Sequence, residues 1–276
     1  MAARRAGVAL TALGMQVLGV VAFAVVLLLL GRWPAFSITQ VPWAFVLALI
    51  GTLSLGALYR AFALGPIAVV SPVVASYAAL SVVGIVLFLG ERLTAGQVVA
   101  IAVTFVGVVI ASTDVRELRR TLGRPVTLAP LAKQGPLPLG VRIGVLATIG
   151  FGIWGTILAA ATRVNEPFGL VIIWRLFGIA LVSLFIAWRR TSLAPLAIRS
   201  TFAIVALVGV LDTGANVLLM LGVESGFASF VMTGSGAYPI IPAVLAILVL
   251  RERLAPNQYV GVAVLVAGLV ALGLQS

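Results

Sequence analysis

The chain has 276 residues, of which 62% are hydrophobic and 9% are charged, and its mean hydropathy is +1.25. This composition excludes a soluble protein with one core and predicts a polytopic membrane protein. The net charge of +11 could suggest a nucleic-acid partner, but the basic residues lie between apolar runs, so we expect none. Because Cys and His are absent, the sequence offers no thiolate and no His or Cys ligand, and we expect no cofactor and no metal site.

Nine apolar runs are each long enough to cross the roughly 30 Å core of a bilayer as a helix. The predicted fold class is therefore all-α, a polytopic helical membrane protein. The first run has the length of a span, so we favour a retained helix over a signal peptide that residues 1–5 could also introduce. The nine runs lie at approximately 8–31, 42–64, 66–89, 94–113, 141–162, 167–188, 201–224, 226–250 and 257–275.

Two of these spans begin with residues typical of helix N-termini. Thr94 and Gln97 match a capping box, and Pro256 stands in the first turn of the last span. Glu91 and Glu252 lie at the entries of the same two spans, beside arginines. We interpret both carboxylates as structural, through local ion pairs and the helix dipole.

The connection at 114–140 is the longest, and its five basic residues and four prolines predict a solvated linker. The two sides of this linker repeat each other at an offset of 161 residues, which aligns Tyr77 with Tyr238 and 91–93 with 252–254. We therefore predict an N-terminal repeat of four spans at 1–113, the linker at 114–140, and a C-terminal repeat of five spans at 141–276.

A unit of five spans is odd, so two such units would have inverted orientations, as in many secondary transporters. The counterpart of the span at 141–162 would precede Met1. The first repeat therefore lacks its first helix. Either the protein dispenses with that helix or the chain starts one helix late, and we favour the second hypothesis.

The basic residues are distributed unequally between the two sides of the predicted spans. Thirteen of the 18 fall on one side, and only Arg32, Arg92 and Arg163 fall on the other. By the positive-inside rule the first side is cytoplasmic. We therefore predict a multi-pass protein of the cell membrane, with its N-terminus and the 114–140 linker in the cytoplasm and its C-terminus outside.

Asp212 lies in the middle of a predicted span, whereas the other six acidic residues lie at span ends or in loops. A carboxylate in hydrocarbon costs about 2.5–3.5 kcal/mol, so we expect it to face a cavity or a partner. Asn216 lies one turn further on the same face, and Arg175 lies at a comparable depth in another span. We predict Asp212 as a proton or cation site, with Arg175 as its partner or as an anion-binding group. A buried pair that only fixes helix packing is an equal alternative.

The irregular run at 234–242 predicts a loosened helix, because proline removes a backbone donor and glycine permits a bend or a close helix contact. The N-terminal repeat has a proline and hydroxyl side chains at the corresponding positions. Helix breaks at matching positions of two repeats point to a binding site near the membrane midplane. For each of these residues taken singly, the alternative to a binding role is a role in helix packing alone. The predicted kinks are Pro72, Gly234, Gly236, Pro239 and Pro242, and the predicted binding residues are Ser76, Tyr77, Ser235 and Tyr238. Further candidates at similar depth are Gln16, Trp154, Trp174 and Thr213, and for Trp154 we favour core packing.

Together, several motifs resemble the EamA-type family of the drug/metabolite transporter superfamily. They are residues 59–66 with Ser71 and Pro72, the GERL at 90–93, the RERL at 251–254, and the Gly-x-x-Asp at 209–212 followed by Asn216. The resemblance covers nearly the whole chain and implies two five-helix repeats, of which this chain apparently lacks the first helix. It also implies transport of amino acids, metabolites or drugs.

The first functional hypothesis is a secondary-active transporter that exports small metabolites or drugs by alternating access, with or without proton coupling. The alternatives are a non-transporting membrane subunit and a facilitator without ion coupling. We do not expect an enzyme, because the sequence has no His, no Cys and no nucleophile–base spacing. The expected partners are the lipid bilayer and a small-molecule substrate, and a homodimer is also considered.

Overall fold

A computed structural model of the protein describes residues 7–64, 67–113, 139–224, 228–236 and 255–275. This part of the chain contains ten α-helices and one short 3₁₀ helix, and its eight helical segments of span length confirm a polytopic helical membrane protein. The α-helices are α1 (Val8–Leu29), α2 (Gln40–Leu64), α3 (Ile67–Ala75), α4 (Tyr77–Leu89), α5 (Ala95–Ser112), α6 (Leu139–Val164), α7 (Pro167–Arg189), α8 (Arg199–Glu224), α9 (Ala228–Gly236) and α10 (Pro256–Gly273).

The eight segments coincide with eight of the nine predicted spans, with α3 and α4 sharing one span over Val70–Leu89. Of the ninth run, at 226–250, the described part is α9. The rest of that run, most of the predicted linker and the RERL at 251–254 lie outside the described residues.

Several helix starts follow directly from the local sequence. The predicted capping box is confirmed, since the Gln97 N–H donates to Thr94 Oγ1 at 3.3 Å and the Thr94 N–H donates to Gln97 Oε1 at 2.9 Å. At the start of α7, the Glu166 carboxylate accepts hydrogen bonds from the N–H groups of Phe168 and Gly169 at 3.0 and 2.6 Å. A carboxylate at this position also complements the positive end of the helix dipole.

The span formed by α3 and α4 is interrupted at Ser76, four residues after Pro72. Proline inside a helix removes one backbone hydrogen bond and crowds the preceding turn. At the break, the Ser76 N–H and Oγ both donate to the Val73 carbonyl, at 3.3 and 2.6 Å. Thr148 Oγ1 of α6 donates to the same carbonyl at 2.9 Å, so a neighbouring helix also satisfies the interrupted turn.

The helices form two compact units, and the first consists of Met1–Gly56 and Ile157–Phe227. Within it, α1 packs against both α7 and α8. A Cβ atom added to Gly14 of α1 would overlap the side chain of Val205, so glycine permits this close contact. The buried apolar cluster of this unit consists of Leu10, Val182, Ile186 and Val205.

The second unit consists of Ala57–Thr156 and Ala228–Ser276. In this unit α5 and α10 pack closely: a Cβ added to Gly107 would meet the backbone of Leu265, and one added to Gly261 would meet the backbone of Ala111. Small residues allow membrane helices to approach at backbone distance and gain van der Waals contact. Both units contain segments from each side of the predicted linker, and the division into two sequence repeats stays a prediction.

Candidate functional site

An ion pair joins two membrane-spanning helices of the first unit. The Arg175 guanidinium of α7 donates through Nη2 to Asp212 Oδ2 of α8 at 2.8 Å. The arginine side chain is 1% exposed, whereas the aspartate side chain is 30% exposed. The structure therefore brings together the two charged residues that the sequence placed at similar depth, and it leaves the carboxylate as the accessible member.

The rest of the guanidinium faces α1. Arg175 Nη1 lies 3.4 Å from Gln16 Oε1 and 3.5 Å from the Met15 carbonyl oxygen, both long hydrogen bonds. Arg175 Nε is buried and has no hydrogen-bond partner among the described residues. A Cβ added to Gly19 would overlap Nη1, so glycine at this point of α1 leaves room for the guanidinium where it lies.

Asn216 and Thr213 lie beside Asp212 on α8, but neither side chain bonds to its carboxylate. Asn216 Nδ2 donates to the backbone carbonyl of Asp212 at 2.8 Å. Thr213 Oγ1 lies 3.2 Å from the Gly19 carbonyl and 2.8 Å from the Gly209 carbonyl, so this hydroxyl connects α8 to α1. The carboxylate itself has Arg175 as its hydrogen-bond partner within the described part of the chain.

A second polar group of candidates lies in the other unit. The hydroxyls of Tyr77 and Ser235 are 3.0 Å apart and join α4 to α9. The Tyr77 ring packs against Phe151 of α6, with ring centroids 5.7 Å apart. A Cβ added to Gly236 would come within 2.6 Å of the Ala78 side chain, so this glycine allows α9 to approach α4.

The remaining candidates differ in their surroundings. The Ser76 hydroxyl is used locally at the helix break, and Gly234 has no described atom near the position of an added Cβ. Trp154 is half-buried on α6, and Trp174 is buried beside Arg175 in sequence. Tyr238, Pro239 and Pro242 lie outside the described residues.

The Glu91 side chain makes a contact that the sequence did not indicate. Its carboxylate oxygens accept the backbone N–H of Ser229 at 3.2 and 3.4 Å, at the start of α9. We predicted a structural carboxylate at the entry of the span that begins near Thr94, whereas this contact is with the N-terminus of another helix. The contact between Glu91 and Ser229 depends on which helices are neighbours, and no motif in the sequence encodes the neighbours of a helix.

The described residues include no group of three or more His, Cys, Asp or Glu side chains that could hold a metal ion. The fold is that of a multi-pass membrane protein, and an intramembrane ion pair lies among the described residues of the first unit. Residues 138–274 match the model of the EamA-like transporter family. This segment, just under half of the chain, is similar to the EamA-like transporter family, whose members are transporters of the drug/metabolite transporter superfamily.

Solved structures share the fold, and 28 of their chains are similar to this one. One of them, titled "Crystal structure of protein", has a TM-score of 0.71 and 18% sequence identity, and the match covers 97% of this chain and 89% of that chain. At this identity the similarity supports the fold alone. No curated protein matches the sequence.

Proposed function

We propose that this chain is a secondary-active transporter that exports small metabolites or drugs by alternating access, and that it is coupled to protons through Asp212. The observation that carries the proposal is the 2.8 Å ion pair between Arg175 and Asp212 within two membrane-spanning helices. Ionisable groups at this depth are costly and characteristically line substrate or proton pathways.

The energy source follows from what the sequence contains. The phosphate-binding motif GxxxxGK[ST] requires a Gly-Lys pair, and the only lysine of the chain, Lys133, follows Ala132. ATP-driven transport by this chain alone is therefore not supported. An ion or substrate gradient remains as the energy source, and a carboxylate whose protonation state can change is a suitable coupling group.

The exposure of the two partners supports a role for Asp212 beyond helix packing. A pair that only fixes packing gains nothing from an exposed member, yet the Asp212 side chain is 30% exposed while Arg175 is 1% exposed. The carboxylate is therefore less enclosed by protein atoms than the guanidinium is. Protonation would weaken the only ion pair of Arg175 within the described residues, and such a change can bias one helix arrangement over another.

Reconstitution into liposomes with an imposed pH gradient tests the proposal. The expected result is substrate-dependent proton flux that protein-free liposomes do not show. Substrate flux that ignores the pH gradient would instead support a facilitator. No flux together with stable co-purification of a partner would support a non-transporting subunit.

The membrane placement is part of the same proposal. We place the protein in the cell membrane, with its N-terminus and the 114–140 linker in the cytoplasm and its C-terminus outside, because the basic residues favour that orientation. Two inverted repeats and a homodimer are also compatible with this arrangement.

A further inference from the structure

We infer that the transported substrate is a carboxylate anion, which replaces Asp212 on Arg175 when Asp212 is protonated. The inference rests on the proposed function, because it assigns the substrate class to the same site. The proton and the anion are then bound together, one on Asp212 and the other on the guanidinium, and they cross the membrane together.

The burial of Arg175 makes protonation of Asp212 alone unfavourable. An arginine side chain stays charged in proteins, and this one is 1% exposed. When one member of a buried ion pair loses its charge, the other charge is left uncompensated in a medium of low dielectric constant. Proton binding at Asp212 therefore requires an anion at Arg175.

Among the described residues, Asp212 is the only counter-charge at Arg175. α8 packs against α1, α7 and the 3₁₀ helix at Ala194–Ala197, and neither α1 nor this 3₁₀ helix contains a charged residue. The other charged residue of α7 is Arg189, in its last turn. Arg199 and Glu224 stand at the two ends of α8, about 18 Å or more from Asp212 along the helix axis.

The guanidinium also has a free donor suited to a carboxylate. Nε and Nη2 form one edge of the guanidinium group, and a carboxylate can bind such an edge with both oxygens. Asp212 uses this edge only through Nη2, while Nε is buried without a hydrogen-bond partner among the described residues. A substrate carboxylate that accepts from both Nε and Nη2 would satisfy the donor that Asp212 leaves unpaired.

This arrangement predicts the charge that moves. One proton and one carboxylate group together are neutral, so a monocarboxylate moves with no net charge, whereas a dicarboxylate such as succinate moves with one negative charge. The membrane potential therefore neither drives nor opposes this step for a monocarboxylate. Export is driven by the combined outward gradients of the anion and the proton.

Uptake and efflux in proteoliposomes of the full chain test the inference with three probes of matched size: succinate, succinamide and 1,4-diaminobutane. The expected result is that succinate is transported faster than the other two by about tenfold or more, because the site is built to pair with an acid. Faster transport of the amide or the diamine would overturn the inference and leave the proposed function standing. Transport of none of the three above protein-free liposomes would overturn the inference, whereas only the absence of any substrate-dependent proton flux would overturn the proposed function.

Two variants separate this mechanism from a packing role. Asp212→Asn imitates the protonated carboxylate, so it should keep succinate exchange while the exchange loses its dependence on pH. The double variant Asp212→Asn with Arg175→Gln removes both charges, should remain folded, and should lose succinate transport. Succinate transport that persists in the folded double variant, or that is lost in a folded Asp212→Asn variant, would overturn the inference.

Discussion

The guanidinium of Arg175 has one ionic partner in the described part of the chain, and that partner is Asp212. Removal of either charge alone therefore leaves the other without compensation in a membrane-spanning helix. Removal of both leaves an apolar contact, which often has similar or greater stability than the ion pair itself. The pair should thus behave as a unit in mutational experiments.

We expect Asp212→Ala to lower the free energy of unfolding by about 3 kcal/mol, because it leaves a buried arginine unpaired. The double variant Asp212→Ala with Arg175→Met should recover most of this loss. The measurement is a double-mutant cycle by unfolding of the purified protein in detergent. Asn216→Ala serves as the control, and it should cost about 1 kcal/mol or less, because within the described residues Asn216 donates to the backbone of its own helix.

A double variant as unstable as the sum of its two single variants would contradict this account. It would show that each side chain is held by other contacts and that the ion pair contributes nothing. The function proposed for the pair would then lose its structural basis.

Part of this site could be predicted from the sequence, because a charged residue inside an apolar run is visible without a structure. Asp212 and Arg175 were located in this way, and their similar depth made contact between them plausible. Gly19 could not be predicted, because its role depends on the approach of Arg175 Nη1 to the backbone of α1. The exposure difference between the two charged side chains also requires the packed helices.

At the scale of helices, glycine determines how closely α5 and α10 approach. Gly107 of α5 faces the backbone of Leu265, and Gly261 of α10 faces the backbone of Ala111. Backbone atoms cannot rotate away from an added Cβ as a flexible side chain can. An alanine at either position must therefore separate the two helices.

We expect Gly107→Ala to lower the free energy of unfolding by about 1–3 kcal/mol, as overpacked cores do. Gly273→Ala is the matched control, because Gly273 ends α10 and no described atom outside its own helix lies within 4 Å of the added Cβ. That control should be neutral or slightly stabilising, since alanine favours a helix over glycine. Equal effects of the two substitutions on thermal unfolding in detergent would show that α5 and α10 do not pack as described.

The helices themselves follow from the sequence more directly than their contacts do. Apolar runs predicted eight of the observed helical segments, and the Thr94 capping box predicted the start of α5. Contacts such as Glu91 with Ser229, or Gln97 with the Gln275 carbonyl, could not be predicted. They depend on which helices are neighbours, and hydrophobicity is nearly the same on many helix faces in this chain.

For the whole molecule, the unequal distribution of basic residues predicts the orientation in the membrane. The chain has no cysteine, so single cysteines can be introduced without a background. Lys133→Cys, in the predicted linker, should react with an impermeant maleimide only after the membrane is opened. Ser276→Cys should react in intact cells. The opposite labelling pattern would reverse the proposed orientation.

The coupling of transport to protons through Asp212 is the central claim for the whole molecule. Liposomes that contain a pH-sensitive dye, with the membrane potential clamped, report proton movement when a gradient of succinate, succinamide or 1,4-diaminobutane is applied. The matched control for Asp212→Asn is Asp114→Asn, the same chemical change in the predicted linker.

The account predicts substrate-dependent proton movement in the unmodified protein and in Asp114→Asn, and none in folded Asp212→Asn. Proton movement in Asp212→Asn equal to that in the unmodified protein would contradict it.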